Sequence, residues 1–361
     1  MSTLLSKRSK PRFNEVVQIG DRFVGEGHRC LIIAEAGSNH NQKLRWAQEL
    51  IDIAAKAKAD VVKFQTFIPE KIYVKHAGFA DYLGNAESIQ QIFKDIKMPA
   101  DWLPKLAESC RKKGILFMSS VFDEESADLV DRFVPAHKIA SYESTHLPLI
   151  KHVAKKGKPI VLSTGMATLR EIREALVAIA STGNKNVILM HCVAKYPAPI
   201  ESSNLRSIDL LRKEFGVPVG LSDHSREAIV NPVAMVARGG NIIEKHFTIK
   251  NSLAGPDHKF AIEPHELAEM VSSIRKAEAA LGNAVKGVLP LEKELFAFAR
   301  RRVHAIRDIK KGELFSSNNV AVLRSGKARP GLEPKDFEWM LGRRARNDIK
   351  ESDGVRAEDI A

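Results

Sequence analysis

From about residue 31 to residue 281 the chain repeats one pattern: a short run rich in apolar and β-branched residues, then a longer amphipathic stretch. The strand-like runs are 31–34, 60–65, 115–119, 137–140, 159–162, 186–190, 218–221 and 241–244. Helical patterns such as 44–56, 102–112, 169–179 and 264–280 lie between them. Strands separated by helices pair in parallel, because each crossover covers one face of the sheet. Eight such units in about 250 residues predict a closed (β/α)8 TIM barrel, in the α/β class. An open doubly wound sheet would show fewer strands and an early glycine-rich phosphate turn, which this sequence lacks.

A barrel of this kind delivers chemistry at the C-terminal ends of its strands. In order, those ends carry Glu35, Lys63 with Gln65, Ser119 with Ser120, Lys138 leading to Ser141-Tyr142-Glu143, Ser163, His191 with Tyr196 beyond it, His224, and His246. Gly255-Pro256-Asp257-His258 follows the last of these. Eight polar strand ends on one rim predict an active site.

His224 and His246 end neighbouring strands, so their imidazoles can share a divalent metal. Glu35 and Asp257 are available as carboxylates, and open positions would suit Lewis-acid activation of a carbonyl. Mixed nitrogen and oxygen ligands favour Mn²⁺, with Mg²⁺ or Co²⁺ as alternatives. The competing reading makes each histidine a hydrogen-bonded core group. Lys63, Lys138, Ser120, Ser141 and Ser163 read as an anion site, because strand-end ammonium groups are costly to bury without a counter-charge. Carboxylates such as Glu143 are the alternative counter-charge. Glu35 suits a general base or a water-orienting group, with a salt bridge to one of the lysines as the competing role.

Composition bounds the rest. At 44% hydrophobic and 28% charged, the chain reads as globular. It holds no apolar run of the roughly 20 residues needed to span a bilayer. Its N-terminus lacks the apolar centre of a signal peptide. With only Cys30, Cys110 and Cys192, it has no disulfide framework or zinc spacing. A cytoplasmic protein with no membrane partner is expected. The net charge of +12 is spread over basic runs such as Arg300-Arg301-Arg302 that lack interleaved aromatics, so no nucleic-acid partner is expected. The stretch 68–99 is long for a βα loop and should lie on the catalytic face. The expected organisation is a basic extension (1–28), a barrel (29–282), a linker (283–300) and a small second domain (301–361). At about 60 residues, that domain is small enough to need support from a neighbour.

These motifs resemble the sialic acid synthase family, which includes N-acetylneuraminate synthase and the legionaminic and pseudaminic acid synthases. The resemblance is carried by Ile33-Ala34-Glu35-Ala36-Gly37-Ser38-Asn39-His40-Asn41, Val62-Lys63-Phe64-Gln65-Thr66-Phe67, Lys138-Ile139-Ala140-Ser141 and Leu162-Ser163-Thr164-Gly165-Met166. Tyr196-Pro197-Ala198-Pro199, Gly220-Leu221-Ser222-Asp223-His224 and Glu244-Lys245-His246-Phe247-Thr248 complete it. It implies a TIM barrel followed by an antifreeze-like (SAF) domain, in a domain-swapped homodimer whose small domains cap the partner's site. It implies condensation of phosphoenolpyruvate with an N-acylated amino sugar of the N-acetylmannosamine type, releasing phosphate. N-acetylneuraminate synthesis is the expected reaction; a legionaminic or pseudaminic acid from a 2,4-diacetamido-6-deoxy sugar is the alternative.

By resemblance, Glu35 and Asp257 are catalytic and His224 and His246 bind the metal. Lys63, Gln65, Ser120, Lys138, Ser141, Ser163 and Ser222 bind phosphoenolpyruvate. Asn85, Glu143, Tyr196 and Arg324 meet the sugar, the last from the partner's small domain. The chain departs from the family in four places. Ser119-Ser120-Val121-Phe122 stands for Ser-Thr-Pro-Phe, and Ala194 for a Ser or Asn. Arg324-Ser325 stands for Arg-Pro, and Tyr142 occupies a position that is Gly in neuraminic acid synthases. A bulky Tyr142 leaves the sugar open. A metallo-aldolase without phosphoenolpyruvate would leave both lysines unexplained.

Overall fold

The computed structural model describes residues 11–79 and 88–361. Strands β1 (Val16–Ile19) and β2 (Arg22–Gly25) form an antiparallel hairpin. Eight strands then close a parallel barrel: β3 (Leu31–Gly37), β4 (Val61–Thr66), β5 (Leu116–Val121), β6 (His137–Ile139), β7 (Ile160–Ser163), β8 (Val187–Cys192), β9 (Val219–Asp223) and β10 (Ile242–His246). Each pairs with the next, and β10 returns to pair with β3. The expected (β/α)8 barrel is therefore the observed fold.

The barrel helices are α1 (Leu44–Lys56), α2 (Ile89–Ile96), α3 (Leu103–Lys113), α4 (Glu124–Asp131), α5 (Leu147–Ala154), α6 (Leu169–Ala180), α7 (Ser207–Phe215), α8 (Val230–Ala237) and α9 (Pro264–Leu281). Their apolar stripes face the strands. In α1 the buried set is Ala47, Leu50, Ile51 and Ala54, the spacing of one helix face. Thr168 and Glu171 form a capping box that starts α6. The main core is the layer between strands and helices, where Ile32, Val62, Phe117 and Leu189 meet Leu50, Leu106, Ile150 and Ile179.

The stretch read as an N-terminal extension contains the hairpin. Its buried Val17, Ile19 and Val24 join the side chains that fill the barrel near the N-terminal ends of its strands, among them Leu31, Ile33, Met118, Val161 and Ile188. A Cβ on Gly20 would lie 2.9 Å from Leu116 Cδ2, so the turn seats directly on the barrel.

Residues Asn283–Ala361 form a second compact unit. It holds α10 (Lys293–Ala299), the antiparallel pair β11 (Arg301–Ala305) and β12 (Val320–Arg324), and α11 (Phe337–Met340). Its own small core contains Val303, Phe315, Val320, Met340, Ile349 and Val355. The stretch read as a linker is thus partly helical. Among the described residues, no helix is long and apolar enough to cross a membrane.

Candidate active site

Strand geometry sorts the rim. Successive side chains alternate in direction, so Glu244 and His246 share one face of β10 and Lys245 takes the other. Lys245 is buried away from the site and spends its charge on Asp223 Oδ2 at 2.7 Å and the carbonyls of Ser225 and Glu227. Glu35, Lys63, Gln65, Ser120, Lys138, Ser141, Ser163, Ser222, His224 and His246 line one cavity together with Tyr196 and Glu244.

Two buried ammonium groups organise its floor. Lys63 Nζ donates to Ser120 Oγ at 2.8 Å and lies 2.7 Å from Glu35 Oε2 and 3.5 Å from Glu244 Oε2. Lys138 Nζ donates to Ser163 Oγ at 2.8 Å and lies 3.7 Å from Glu244 Oε1. Ser222 Oγ donates to the same Glu244 oxygen at 3.1 Å, and Gln65 Nε2 donates to Glu35 Oε1 at 3.0 Å. Ser141 is turned by a hydrogen bond from the Gly165 backbone N–H to its Oγ at 3.0 Å.

Burial and charge pull the two carboxylates apart. Burial raises Glu35 to about 7, only partly opposed by Lys63. Burial would raise Glu244 as well, but the charges of Lys138 and Lys63 outweigh it and hold the group near 2. Burial lowers Lys138, whereas for Lys63 the attraction of Glu244 and Glu35 overcomes burial and raises it. In the state where Glu35 holds its proton, two cations face one anion, and the floor then favours an anionic ligand.

The imidazoles of His224 and His246 stand with ring centroids 5.7 Å apart. His224 Nδ1 donates to the Val193 carbonyl at 2.9 Å, which fixes the tautomer and leaves Nε2 with its lone pair. His246 Nδ1 is buried without a hydrogen-bond partner, 3.9 Å from Asp257 Oδ2. Burial keeps both rings neutral, lowering His224 to about 4 and His246 well below its usual value. Tyr196 stacks on His224 at 4.1 Å, and Phe260 packs edge-on against His246 at 5.1 Å. Among the described residues, no group of three or more His, Cys, Asp or Glu is arranged to hold a metal. The pair fits an ion that takes two imidazoles and fills its remaining positions with oxygen from water or a ligand; the orphaned His246 nitrogen is the observation that favours this.

Above the floor the cleft becomes apolar. Tyr73, Ile92, Phe93, Phe122, Tyr142 and Phe260 line it together with Glu143 and Asp257. The long stretch after β4 therefore does reach the catalytic face, through Tyr73 and α2. Tyr142 lines both the floor and this outer part. Glu143 Oε2 is buried without a partner, and burial raises the carboxyl to about 7. Asn85 lies outside the described residues. Arg324 ends β12 in the second unit, paired in register with Arg301.

Sequence reasoning missed Glu244, the counter-charge to both lysines. Its signal was available: in a strand, the residue two before an inward His246 also faces inward. It also missed the apolar wall built by α2 and Phe260.

Two family descriptions match the chain: the NeuB family over residues 50–286 and the SAF domain over residues 300–361. The spore coat polysaccharide biosynthesis protein SpsE of Bacillus subtilis is 44% identical over 360 residues, covering 95% of this chain and 96% of that protein. An N,N'-diacetyllegionaminic acid synthase of Campylobacter jejuni is 39% identical, covering 91% and 99%. Among solved structures, an N-acetylneuraminic acid synthetase from Leptospira borgpetersenii, in complex with citrate, superposes with a TM-score of 0.71 at 30% identity, covering 79% and 96%. A barrel with this rim, matched along nearly its whole length, belongs to the NeuB family of sialic acid synthases and carries a C-terminal SAF domain.

Proposed function

We propose that the protein condenses phosphoenolpyruvate with an N-acylated mannosamine-type sugar to give a nonulosonic acid and phosphate. One observation carries the reading: Lys63 and Lys138, both buried and both beside Glu244, line one cavity with a set of serine hydroxyls and with His224 and His246. The phosphate and carboxylate of phosphoenolpyruvate take the two ammonium groups, with Ser120, Ser141, Ser163, Ser222 and Gln65 as neutral partners. Glu244 holds the lysines in place. The acceptor lies above, against Tyr196, Glu143 and Asp257, with its aldehyde toward His224 and His246. A divalent ion held by those two histidines, Mn²⁺ in this reading, supplies Lewis-acid polarisation of that aldehyde.

The enol carbon C3 of phosphoenolpyruvate forms the new C–C bond to the aldehyde carbon, whose C=O π pair moves onto its oxygen. That oxygen becomes the new hydroxyl by taking up the proton that water gives up through Glu35. The positive charge left at C2 is met by water, whose proton passes to Glu35, a carboxyl poised near neutral pH. Collapse of the resulting tetrahedral centre breaks the bond from C2 to the bridging oxygen and releases phosphate. In the domain-swapped homodimer we propose, Arg324 of the capping unit meets the sugar's acyl group. The demand for phosphoenolpyruvate, an intracellular metabolite, supports a cytoplasmic setting.

N-acetylmannosamine is the first acceptor in this reading. A 2,4-diacetamido-6-deoxy sugar is the second, favoured by the apolar outer cleft around Phe93, Phe122 and Tyr142, which suits a methyl group better than a hydroxymethyl. Phosphate release from phosphoenolpyruvate and Mn²⁺, with each sugar supplied separately, tests both. Release with the first alone makes it a neuraminate synthase and Tyr142 a tolerated change. Release with the second alone moves it to the legionaminic or pseudaminic branch. Release with neither contradicts the proposal.

A further inference from the structure

His258 is fully buried, yet its partners belong to two rim loops rather than to the barrel core. Asn41 Nδ2 donates to the Ala254 carbonyl at 2.6 Å, so its Oδ1 is the acceptor that faces the His258 ring. His258 Nε2 therefore donates to Asn41 Oδ1 at 3.1 Å, and Nδ1 meets the Thr248 hydroxyl at 2.6 Å. Asn41 follows β3, while Thr248 and His258 follow β10. The ring thus ties the loop after Glu35 to the loop that carries Asp257.

Three further features serve the same junction. Asn251 Nδ2 donates to the carbonyls of His258 at 2.6 Å and Ala261 at 2.7 Å, which folds the segment back on itself. A Cβ on Gly255, at φ +142°, would stand 2.7 Å from His258 Cδ2 and 3.0 Å from Asn41 Oδ1. A Cβ on Gly37, at φ +52°, would stand 2.8 Å from Asp257 Oδ2. Both glycines are therefore needed where the two loops close on each other. Asp257 and Phe260, on either side of His258, line the cleft, and His258 itself is not among the lining residues.

We propose that His258 is a positioning residue: by clamping Asn41 to Thr248 it fixes Asp257 and Phe260 against the acceptor side of the cleft. The inference rests on the proposed function for the identity of the acceptor. The residues assigned to phosphoenolpyruvate come from β4 to β9 and the turns that follow them, and the hydrogen bonds of Asn41, Thr248 and His258 involve none of them.

The test compares wild type, His258→Ala, His258→Gln, Asn41→Ala and the Asn41→Ala/His258→Ala double variant, as full-length chains with Mn²⁺. Each is assayed with both sugars and by hydrogen exchange. Breaking the clamp leaves a buried amide oxygen or hydroxyl unpaired, so His258→Ala should raise the acceptor KM about tenfold. The phosphoenolpyruvate KM should stay within about twofold, because its contacts are intact. Asn41→Ala should behave alike, and the double variant should add little to either single one. His258→Gln keeps a donor toward Asn41 and should recover part of the loss. Exchange should quicken in residues 248–262 alone among the β10-side segments. Equal changes in both substrates' constants that track a fall in Tm would overturn the proposal, as would unchanged exchange in 248–262. If His258→Ala does not fold, His258→Gln and Asn41→Ala decide the question by the same two readouts. A wild type inactive with every sugar would sink the proposed function, while the exchange data would still judge the clamp.

Discussion

Lys63 Nζ lies 2.7 Å from Glu35 Oε2, and both side chains are almost wholly withdrawn from solvent. An ion pair in that position would normally hold a carboxyl low. Here burial outweighs the pairing, and Lys63 divides its charge between Glu35 and Glu244, so Glu35 rests near 7. A carboxyl tuned to the working pH can take a proton from water and return it.

Glu35 should therefore set the rising limb of the pH–rate profile. Its basic form accepts the proton, so kcat/KM should climb as pH passes through about 7 and level off above it. Glu35→Gln should cost roughly 10²–10⁴-fold in kcat and erase that limb. The same raised value has a stability consequence. The unfolded chain ionises this group first, near 4.5, so the folded state loses relative stability as pH rises from there to about 7. Denaturant melts across that window should fall less steeply in Glu35→Gln than in wild type. An unchanged rate limb in the variant would remove Glu35 from the proton-transfer role.

Lys138→Met should separate phosphoenolpyruvate from the sugar. Losing one charge-assisted contact is expected to raise the phosphoenolpyruvate KM roughly 10–100-fold. The acceptor KM should move little. The neutral methionine also leaves Glu244 with Lys63 alone, so its ordinary charge is less well held. Calorimetry of phosphoenolpyruvate binding to the variant reads the effect directly, and wild-type affinity would contradict the anion floor.

Removing the metal should stop turnover before it unfolds the protein. His224 is seated by the Val193 carbonyl and by Tyr196, and the barrel core is a layer of apolar side chains between strands and helices. A chelator should abolish phosphate release while the thermal unfolding curve, followed by circular dichroism, shifts by only a few degrees. His224→Ala and His246→Ala should reproduce the inactive, folded state. Loss of activity and structure together would mean that the ion is structural.

Arg324→Ala should raise the acceptor KM about tenfold and spare phosphoenolpyruvate, if the residue pairs with the sugar's acyl group. Domain exchange makes a sharper demand. Glu35→Gln and Arg324→Ala protomers, each impaired alone, should regain part of the activity when mixed and allowed to exchange, because one composite site is then intact. No recovery in a demonstrated heterodimer would argue against a cap donated by the partner.

The barrel is legible in the sequence because most strands are apolar runs followed by an ionisable or hydroxyl residue, and the helices between them keep one apolar face. The strand ends are less so. The pattern of apolar residues stops the third strand at Ser119, yet β5 continues to Val121, because Ser120 points into the site, Ser119 turns the other way to meet Thr66 Oγ1 at 2.8 Å, and both backbones stay in the ladder. The hairpin at 16–25 is hidden by its length: two four-residue strands show too few alternations to stand out, and their burial depends on a barrel end that only the closed fold creates. Glu244 is easily overlooked beside the histidine two residues on, since its value lies in two lysines brought by other strands. The apolar wall from α2 is unreadable for a related reason: Ile92 and Phe93 look like ordinary helix-core residues until the helix is seen over the rim.

The most direct test follows the bridging oxygen of phosphoenolpyruvate. With a heavy-oxygen label at that position, a productive acceptor and Mn²⁺, the label should leave with the phosphate. The keto oxygen of the nonulosonic acid should come from solvent. Label retained in the product, or phosphate released at the same rate without any sugar, would contradict the condensation.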